Sequence, residues 1–438
     1  MGRLAPIAPE TTAFVFLSFE GPDRYSMAGG LGTRITHLTQ ALAHAGYETH
    51  LCFVGDPEAP GEEHCEDGRL VLHRWCQWIS RYYPLGVYQG EEGKRYDFTD
   101  MIPHYIADTL MPHLLSAGKQ VVIQGEEWQT AEALCATSDL LHWRGLRDRA
   151  FFAWNANNDN GFERVNWERL SYVALLTTVS RYMKHRMWQE GVDPVVIGNG
   201  IAESMLEAPA PEAAEALRRA LHGDTLLFKV ARFDPDKRWD MALGAVAEMR
   251  RRGRRPTLLM RGGAEPHGAE VLARAAQQGL RVSPVWRNGA DGESTEAYLA
   301  AIAQADGADV IDLRFFLPDS LVRLGYRAAD AVLANSGHEP FGLVGLEAMA
   351  AGGIAFTGAT GEEYARHLEN AVVLQTSDPR EIVYYLEWLR AKPEVSAALR
   401  AEGRRTAERH TWPKVITQLV AALECGLSDC FPSSEAAP

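Results

Sequence analysis

Two spacings of apolar residues alternate along this chain. Short runs of Val, Ile, Leu, Phe and Ala with little polar interruption give way to longer stretches in which apolar residues return every third or fourth position. The first pattern predicts strands covered on both faces and the second predicts amphipathic helices, so their alternation predicts parallel sheets flanked by helices. Two such series occur. The first places strands at 14–19, 49–54, 121–123, 151–154, 177–180 and 195–197. Its first helix is expected over 33–45, behind a tight Gly29-Gly30-Leu31-Gly32 loop, with Ile35, Leu38, Leu42 and Ala45 on one face. The second series has strands at 226–230, 257–260, 310–313, 331–333, 354–356 and 371–374, a helix over 241–252 and a largely helical end from Pro379. Gly198-Asn199-Gly200 reads as a hinge between them. The expected division is residues 1–200, residues 201–408, and a C-terminal helix and tail over 409–438 packing back toward the first domain, with 433–438 loose. Segment 73–98 reads as a loop-like insertion dense in aromatics, including Trp75, Trp78, Tyr82, Tyr83, Tyr88 and Tyr96.

The chemistry concentrates in the second series. After the strand at 331–333 comes His338-Glu339-Pro340-Phe341-Gly342-Leu343-Val344-Gly345-Leu346-Glu347, with two carboxylates eight residues apart around the start of a short helix. The free N–H groups of Phe341, Gly342, Leu343 and Val344, with the positive end of the helix dipole, suit an anion such as a diphosphate. A carboxylate accepts hydrogen bonds at two oxygens, so Glu339 and Glu347 can each grip vicinal hydroxyls, Glu339 on a sugar and Glu347 on a ribose. Upstream, Val230-Ala231-Arg232-Phe233-Asp234-Pro235-Asp236-Lys237 offers Arg232 and Lys237 from one strand-to-helix loop, two cations for the same diphosphate. Gly29-Gly30-Leu31-Gly32 is the backbone-rich counterpart in the first series. Asp234-Pro235-Asp236 spells a D-x-D but reads as a turn, so no metal ligands are expected.

Composition narrows the classes. A net charge of −14 argues against nonspecific nucleic-acid binding, so any phosphate site has to be local. The start lacks a signal-peptide core and no apolar run reaches membrane-spanning length, which predicts a cytoplasmic protein without an integral membrane segment. Six cysteines without C-x-x-C spacing predict reduced thiols.

Taken together, the paired-glutamate segment, the Arg232/Lys237 loop, the Gly29-Gly30 loop and the Val196-Ile197-Gly198-Asn199-Gly200-Ile201 crossover resemble the family-4 retaining glycosyltransferases, which include bacterial glycogen synthases and sucrose-phosphate synthases. The resemblance covers nearly the whole chain and is stronger in the second half. It implies the GT-B fold, an α/β architecture of two Rossmann-like doubly wound domains facing a cleft. It implies a hexosyltransferase of carbohydrate metabolism that moves sugar from a nucleotide-diphosphate-sugar to a hydroxyl acceptor with retention, without metal or resident cofactor. By the same resemblance Arg232 and Lys237 hold the donor diphosphate, Glu339 contacts the donor sugar, Glu347 the ribose, and Gly29 and Gly30 close over the phosphates.

Two departures qualify this. The glycogen synthases carry a Lys two residues before the paired glycines, where this chain has Met27, and a His-Asp-Trp element where it has Glu126-Glu127-Trp128. Glu126 thus takes the place of a sugar-contacting His. With the aromatic segment it is assigned to an acceptor surface in the first domain, and a small molecule or short saccharide is expected as acceptor. Alternatives are a sugar-nucleotide epimerase of the same fold and a catalytically silent nucleotide-sugar-binding protein. A nicotinamide dehydrogenase is weaker, because Gly30-Leu31-Gly32-Thr33-Arg34-Ile35 lacks the third glycine of the dinucleotide pattern.

Overall fold

The computed structural model describes residues 6–221, 223–263, 265–287, 294–305 and 307–430, with side chains described to residue 426. The tail expected at 433–438, residues 1–5 of the start and the Cys430 side chain lie outside the described residues. Two compact units form, Met1–Gly200 together with Trp412–Pro438, and Ile201–Thr411.

The first unit holds strands β1 (Thr12–Leu17), β2 (Glu48–Val54), β3 (Glu62–Cys65), β4 (Leu70–Trp75), β5 (Gln120–Glu126), β6 (Ala150–Ala156), β7 (Leu175–Thr178) and β8 (Val195–Val196). Their order is β3-β4-β2-β1-β5-β6-β7-β8, parallel except where β3 runs against β4. Every residue of β1 and β5 is buried, which is why 13–17 and 121–123 read as apolar runs and not as alternation. Helix Gly30–His44 lays Ile35, Leu38 and Leu42 on Phe14 and Phe16, and helix Trp412–Cys430 adds Trp412, Val415, Ile416 and Leu419 to that core. Gly30, Leu31 and Gly32 form the first turn of the helix and not a loop before it, while Ala45 is its exposed C-cap.

Segment 73–98 is a loop only over 81–90. It contains the end of β4, a short helix Gln77–Ser80 and the first half of helix Glu91–Tyr105. That second helix buries only Lys94, Phe98, Ile102 and Pro103, so its apolar stripe is too sparse to stand out in the sequence.

The second unit holds β9 (Thr225–Val230), β10 (Pro256–Arg261), β11 (Val282–Trp286), β12 (Val310–Arg314), β13 (Ala331–Ala334), β14 (Ala355–Thr357) and β15 (Val372–Val373), all parallel, in the order β11-β12-β10-β9-β13-β14-β15. Leu227, Trp239, Leu243, Val246, Leu258, Leu333 and Phe356 share one core. β11 was absent from the apolar pattern because Ser283 and Pro284 interrupt it. It is one of the two edge strands, where a residue without an N–H is tolerated.

Both sheets reverse winding direction beside their first strand, between β1 and β5 and between β9 and β13. The loops leaving two such strands diverge to opposite faces and open a crevice at their carboxyl ends. Nearly all the expected site residues sit on those four loops and the helices that follow.

Candidate functional site

In the second unit, the loop after β9 is shaped by its own acids. Asp234 accepts the Asp236 N–H at 2.9 Å and caps a 3-10 turn over Pro235–Lys237. Arg238 then takes the left-handed conformation, φ 50° and ψ 47°, to enter helix Trp239–Arg251. Trp239 is buried beneath the turn and donates Nε1–H to the Arg232 carbonyl at 2.9 Å. Asp236 stitches this loop to the one after β13: its carbonyl accepts the Gly337 N–H at 2.7 Å, and its carboxylate accepts the His338 N–H at 2.9 and 3.1 Å. The approach is close enough that a Cβ on Gly337 would stand 2.7 Å from the Asp236 carboxylate. Both acids of the D-x-D are therefore engaged with backbone N–H groups.

The stitch brings Lys237 Nζ to 3.0 Å from Glu339 Oε1. Arg232 is exposed, and its guanidinium has no hydrogen bond or ion pair among the described residues. Lys229, the lone charge in β9, is fully buried; it donates to the Leu333 carbonyl at 3.1 Å and to Asn335 Oδ1 at 2.6 Å. Loss of water lowers its pKa to about 7. It ties the ends of β9 and β13 together under both loops.

Gly342, at φ 79° and ψ 63°, leads into helix Leu343–Ala350. Its carbonyl accepts the Tyr364 hydroxyl, and the Phe341 ring is buried against the same tyrosine. The helix begins at Leu343, so Phe341 and Gly342 precede it, while Leu343 and Val344 supply first-turn N–H groups that have no intrahelical partner. One turn further, Glu347 accepts the Tyr326 hydroxyl at 3.1 Å. Part of its side chain reaches the surface, yet the carboxyl is packed deeply enough that loss of water raises its pKa to about 7, against the opposing pull of the tyrosine bond. Sequence reasoning missed Lys229, Tyr326 and Tyr364, and it read Asp236 only as part of a turn. Lys229 carried a signal, a single lysine inside an otherwise apolar strand, which needs a buried acceptor.

The first unit arranges its crevice differently. Glu20, just past β1, accepts the N–H groups of Ala28, Gly29 and Gly32 at 3.0, 2.9 and 3.0 Å on one oxygen and the Tyr88 hydroxyl at 2.6 Å on the other. The start of helix Gly30–His44, expected to face phosphate, thus already holds an anion of the chain itself. Gly29 and Gly30 nevertheless face open space, since a Cβ on either meets nothing within 4 Å.

Glu126, at the end of β5, is wholly buried and does not present a free carboxylate. Arg34 donates to both of its oxygens at 3.2 and 3.4 Å, Gln124 at 2.7 Å, Asn155 at 2.9 Å and Asn157 at 2.8 Å. Arg34 also donates to Asn199, so this network reaches the glycine segment read as a hinge. There a Cβ on Gly200 would stand 2.6 Å from the Trp412 ring. The next residue, Glu127, is at φ 68° and ψ 165°, a region that only glycine enters without strain. Its carboxyl accepts the N–H groups of Asn157 and Asn158, and burial, reinforced by the neighbouring Glu126 charge, raises its pKa to about 8. Of the aromatic segment, Trp78, Tyr82 and Tyr96 are exposed, and Trp78 donates to Asp97 at 3.2 Å.

This geometry can be set beside known proteins. Residues 215–406, nearly all of the second unit, match the family model described as glycosyl transferases group 1. A D-inositol 3-phosphate glycosyltransferase of Thermobispora bispora is 32% identical over 215 residues, which cover 48% of this chain and 46% of that protein. The matched stretch thus spans about half the length of that curated relative. The protein of the same description from Jonesia denitrificans is 24% identical over 429 residues, 91% of each chain. Among solved structures, sucrose-phosphate synthase from Thermosynechococcus elongatus superimposes with a TM-score of 0.64 at 18% identity, covering 95% of this chain and 100% of that one. The match to the group 1 model thus lies within the second unit, and the fold is the GT-B fold, two parallel-sheet α/β units. Among the described residues, no helix is long and apolar enough to cross a membrane.

Proposed function

We propose that this protein is a glycosyltransferase that moves a hexosyl group from a nucleotide-diphosphate-sugar to a hydroxyl acceptor, with retention and without metal. The observation that carries the reading is the junction of β9 and β13. Arg232 stands exposed, Lys237 is paired with Glu339 at 3.0 Å, and Glu347 lies on the helix whose first N–H groups open beside them. A diphosphate suits this set, with its negative charge met by the cations and helix start, the sugar beside Glu339 and the ribose beside Glu347.

In the proposed reaction the acceptor hydroxyl oxygen bonds to the anomeric carbon as that carbon's bond to the diphosphate oxygen breaks. The hydroxyl proton passes to the leaving phosphate. Arg232 and Lys237 stabilise the charge that collects there, which is the group's main work in the transition state. The first unit supplies the acceptor surface, with Glu126 holding Arg34, Asn155 and Asn157 in place and the exposed aromatics offered to sugar faces. The curated relatives make D-inositol 3-phosphate one of the acceptors to try.

The test is a panel of UDP-, ADP- and GDP-hexoses with inositol phosphate, sugar phosphates and short saccharides, read as nucleoside diphosphate release and as the anomeric configuration of the product. A retained configuration at full rate in chelator is expected. Inversion, a chelator-sensitive rate restored by magnesium, or conversion of the donor to its epimer without an acceptor would each refute part of the proposal.

A further inference from the structure

Arg238 is not explained by the turn it occupies. Its backbone is left-handed, where the Cβ of an ordinary residue is opposed by its own carbonyl and glycine is the natural occupant. The backbone bonds there do not call for arginine. Its N–H donates to the Pro235 carbonyl at 3.1 Å, and its carbonyl accepts the Met241 N–H at 3.2 Å and Asn335 Nδ2–H at 3.4 Å, all available to a glycine. The side chain is half-buried and lies across Gly337, where an added Cβ would stand 3.0 Å from its Nε and 3.4 Å from its Nη2. Among the described residues its guanidinium has no hydrogen bond and no ion pair. The carboxylates nearby are committed elsewhere, Asp236 to the His338 N–H and Glu339 to Lys237.

Charge arithmetic gives the side chain a task. A nucleoside diphosphate joined to a sugar carries about one negative charge on each phosphate, and the Lys237 charge is already balanced by Glu339. Arg232 alone leaves one phosphate unmatched. We propose that Arg238 is a third cationic contact for the donor, holding the diphosphate together with Arg232, and that the left-handed position is tolerated for the sake of that side chain. A planar guanidinium beside a glycine can offer two N–H groups to one phosphate, which a lysine at the same place would not reproduce. The inference deepens the proposed donor site and rests on it.

The test uses the full chain and three probes, UDP, ADP and GDP, with the corresponding nucleosides as controls. Titration calorimetry and thermal melting are run on wild type, Arg238→Gly and Arg238→Lys. Arg238→Gly is expected to melt no lower than wild type, because the left-handed strain is relieved. It should bind the preferred diphosphate about tenfold or more weakly, with a shallower salt dependence, and bind the nucleoside unchanged. Arg238→Lys should fall between. If Arg238→Gly binds the diphosphate as tightly as wild type, this inference fails while the donor site stands. If wild type binds none of the three diphosphates, the donor site and the inference fail together. An equal loss for nucleoside and diphosphate would overturn the inference by showing a structural role only.

Discussion

The junction of β1 and β5 and the junction of β9 and β13 are built alike and filled oppositely. Each puts a strand-to-helix turn at a winding reversal, and each aims backbone N–H groups at the crevice. In the first unit the N–H groups of Ala28, Gly29 and Gly32 close on Glu20, and Glu126 is surrounded by Arg34, Gln124, Asn155 and Asn157. In the second, one carboxylate, Glu339, meets one of three cations, and Arg232 and Arg238 have no protein anion among the described residues. Topology provides two equivalent crevices, but the side chain at the strand end decides which is left with charge to offer. A glycine-rich helix start is an anion site only while the chain supplies no anion of its own.

The largest effect should come from removing the cations assigned to the donor diphosphate. Arg232→Ala and Lys237→Ala are each expected to lower turnover on the order of a hundredfold, because the charge they meet grows as the diphosphate leaves. Unfolding in urea should change little for Arg232→Ala, whose side chain is exposed. Steady-state rates close to wild type in both variants would erase the distinction between the two junctions.

Glu20 should behave in the reverse way, costing stability before chemistry. Glu20→Ala strands three N–H groups and the Tyr88 hydroxyl, and a loss of about 2 kcal/mol is expected in urea unfolding. Glu20→Gln should recover most of it, since one amide oxygen can still accept the three N–H groups while Tyr88 turns its hydroxyl to accept from the amide nitrogen. Equal loss in both variants would mean that the negative charge, and not the acceptor geometry, holds this helix start.

The sequence made the second junction legible and hid the first for one physical reason. Arg232, Lys237, Glu339 and Glu347 lie within short segments whose spacing relative to a strand end and a helix start can be counted. The Glu20 partners lie 8 to 12 residues away on the backbone, and Tyr88 lies 68 residues away. Nothing in Gly29-Gly30-Leu31-Gly32 tells whether its N–H groups point at a ligand or at the protein. The same holds for Glu126, which matches a family position in sequence while its partner Arg34 is 92 residues distant. The alternating apolar runs revealed most strands because both sheet faces are covered. They missed β3 and β4, β11, which is broken by a proline, and helix Glu91–Tyr105, whose buried residues are too few to set a period.

A finer contrast concerns protons. Burial raises the Glu347 pKa to about 7, so near neutral pH this carboxyl is divided between a form that accepts two hydroxyls well and a protonated form that does not. Nucleoside diphosphate affinity is therefore expected to climb with pH through about 7 and level off above about 8, severalfold in all, and to stay flat across that range in Glu347→Gln. Stability should move in the opposite sense. A carboxyl whose folded pKa lies above its unfolded value binds its proton more tightly when folded, so its contribution is full below the ordinary carboxylate range and is lost as pH rises to about 7. Glu127, raised to about 8, has the same sign. Lys229 has the other: its pKa is lowered to about 7, so folding gives up its proton and its contribution grows with pH above that value. Urea midpoints should therefore fall from pH 5 to pH 7 and flatten beyond. Glu347→Gln should remove part of that fall and Glu127→Gln another part. A donor affinity in wild type that is independent of pH would place the ribose away from Glu347 and leave Arg232, Lys237 and Glu339 as the donor contacts.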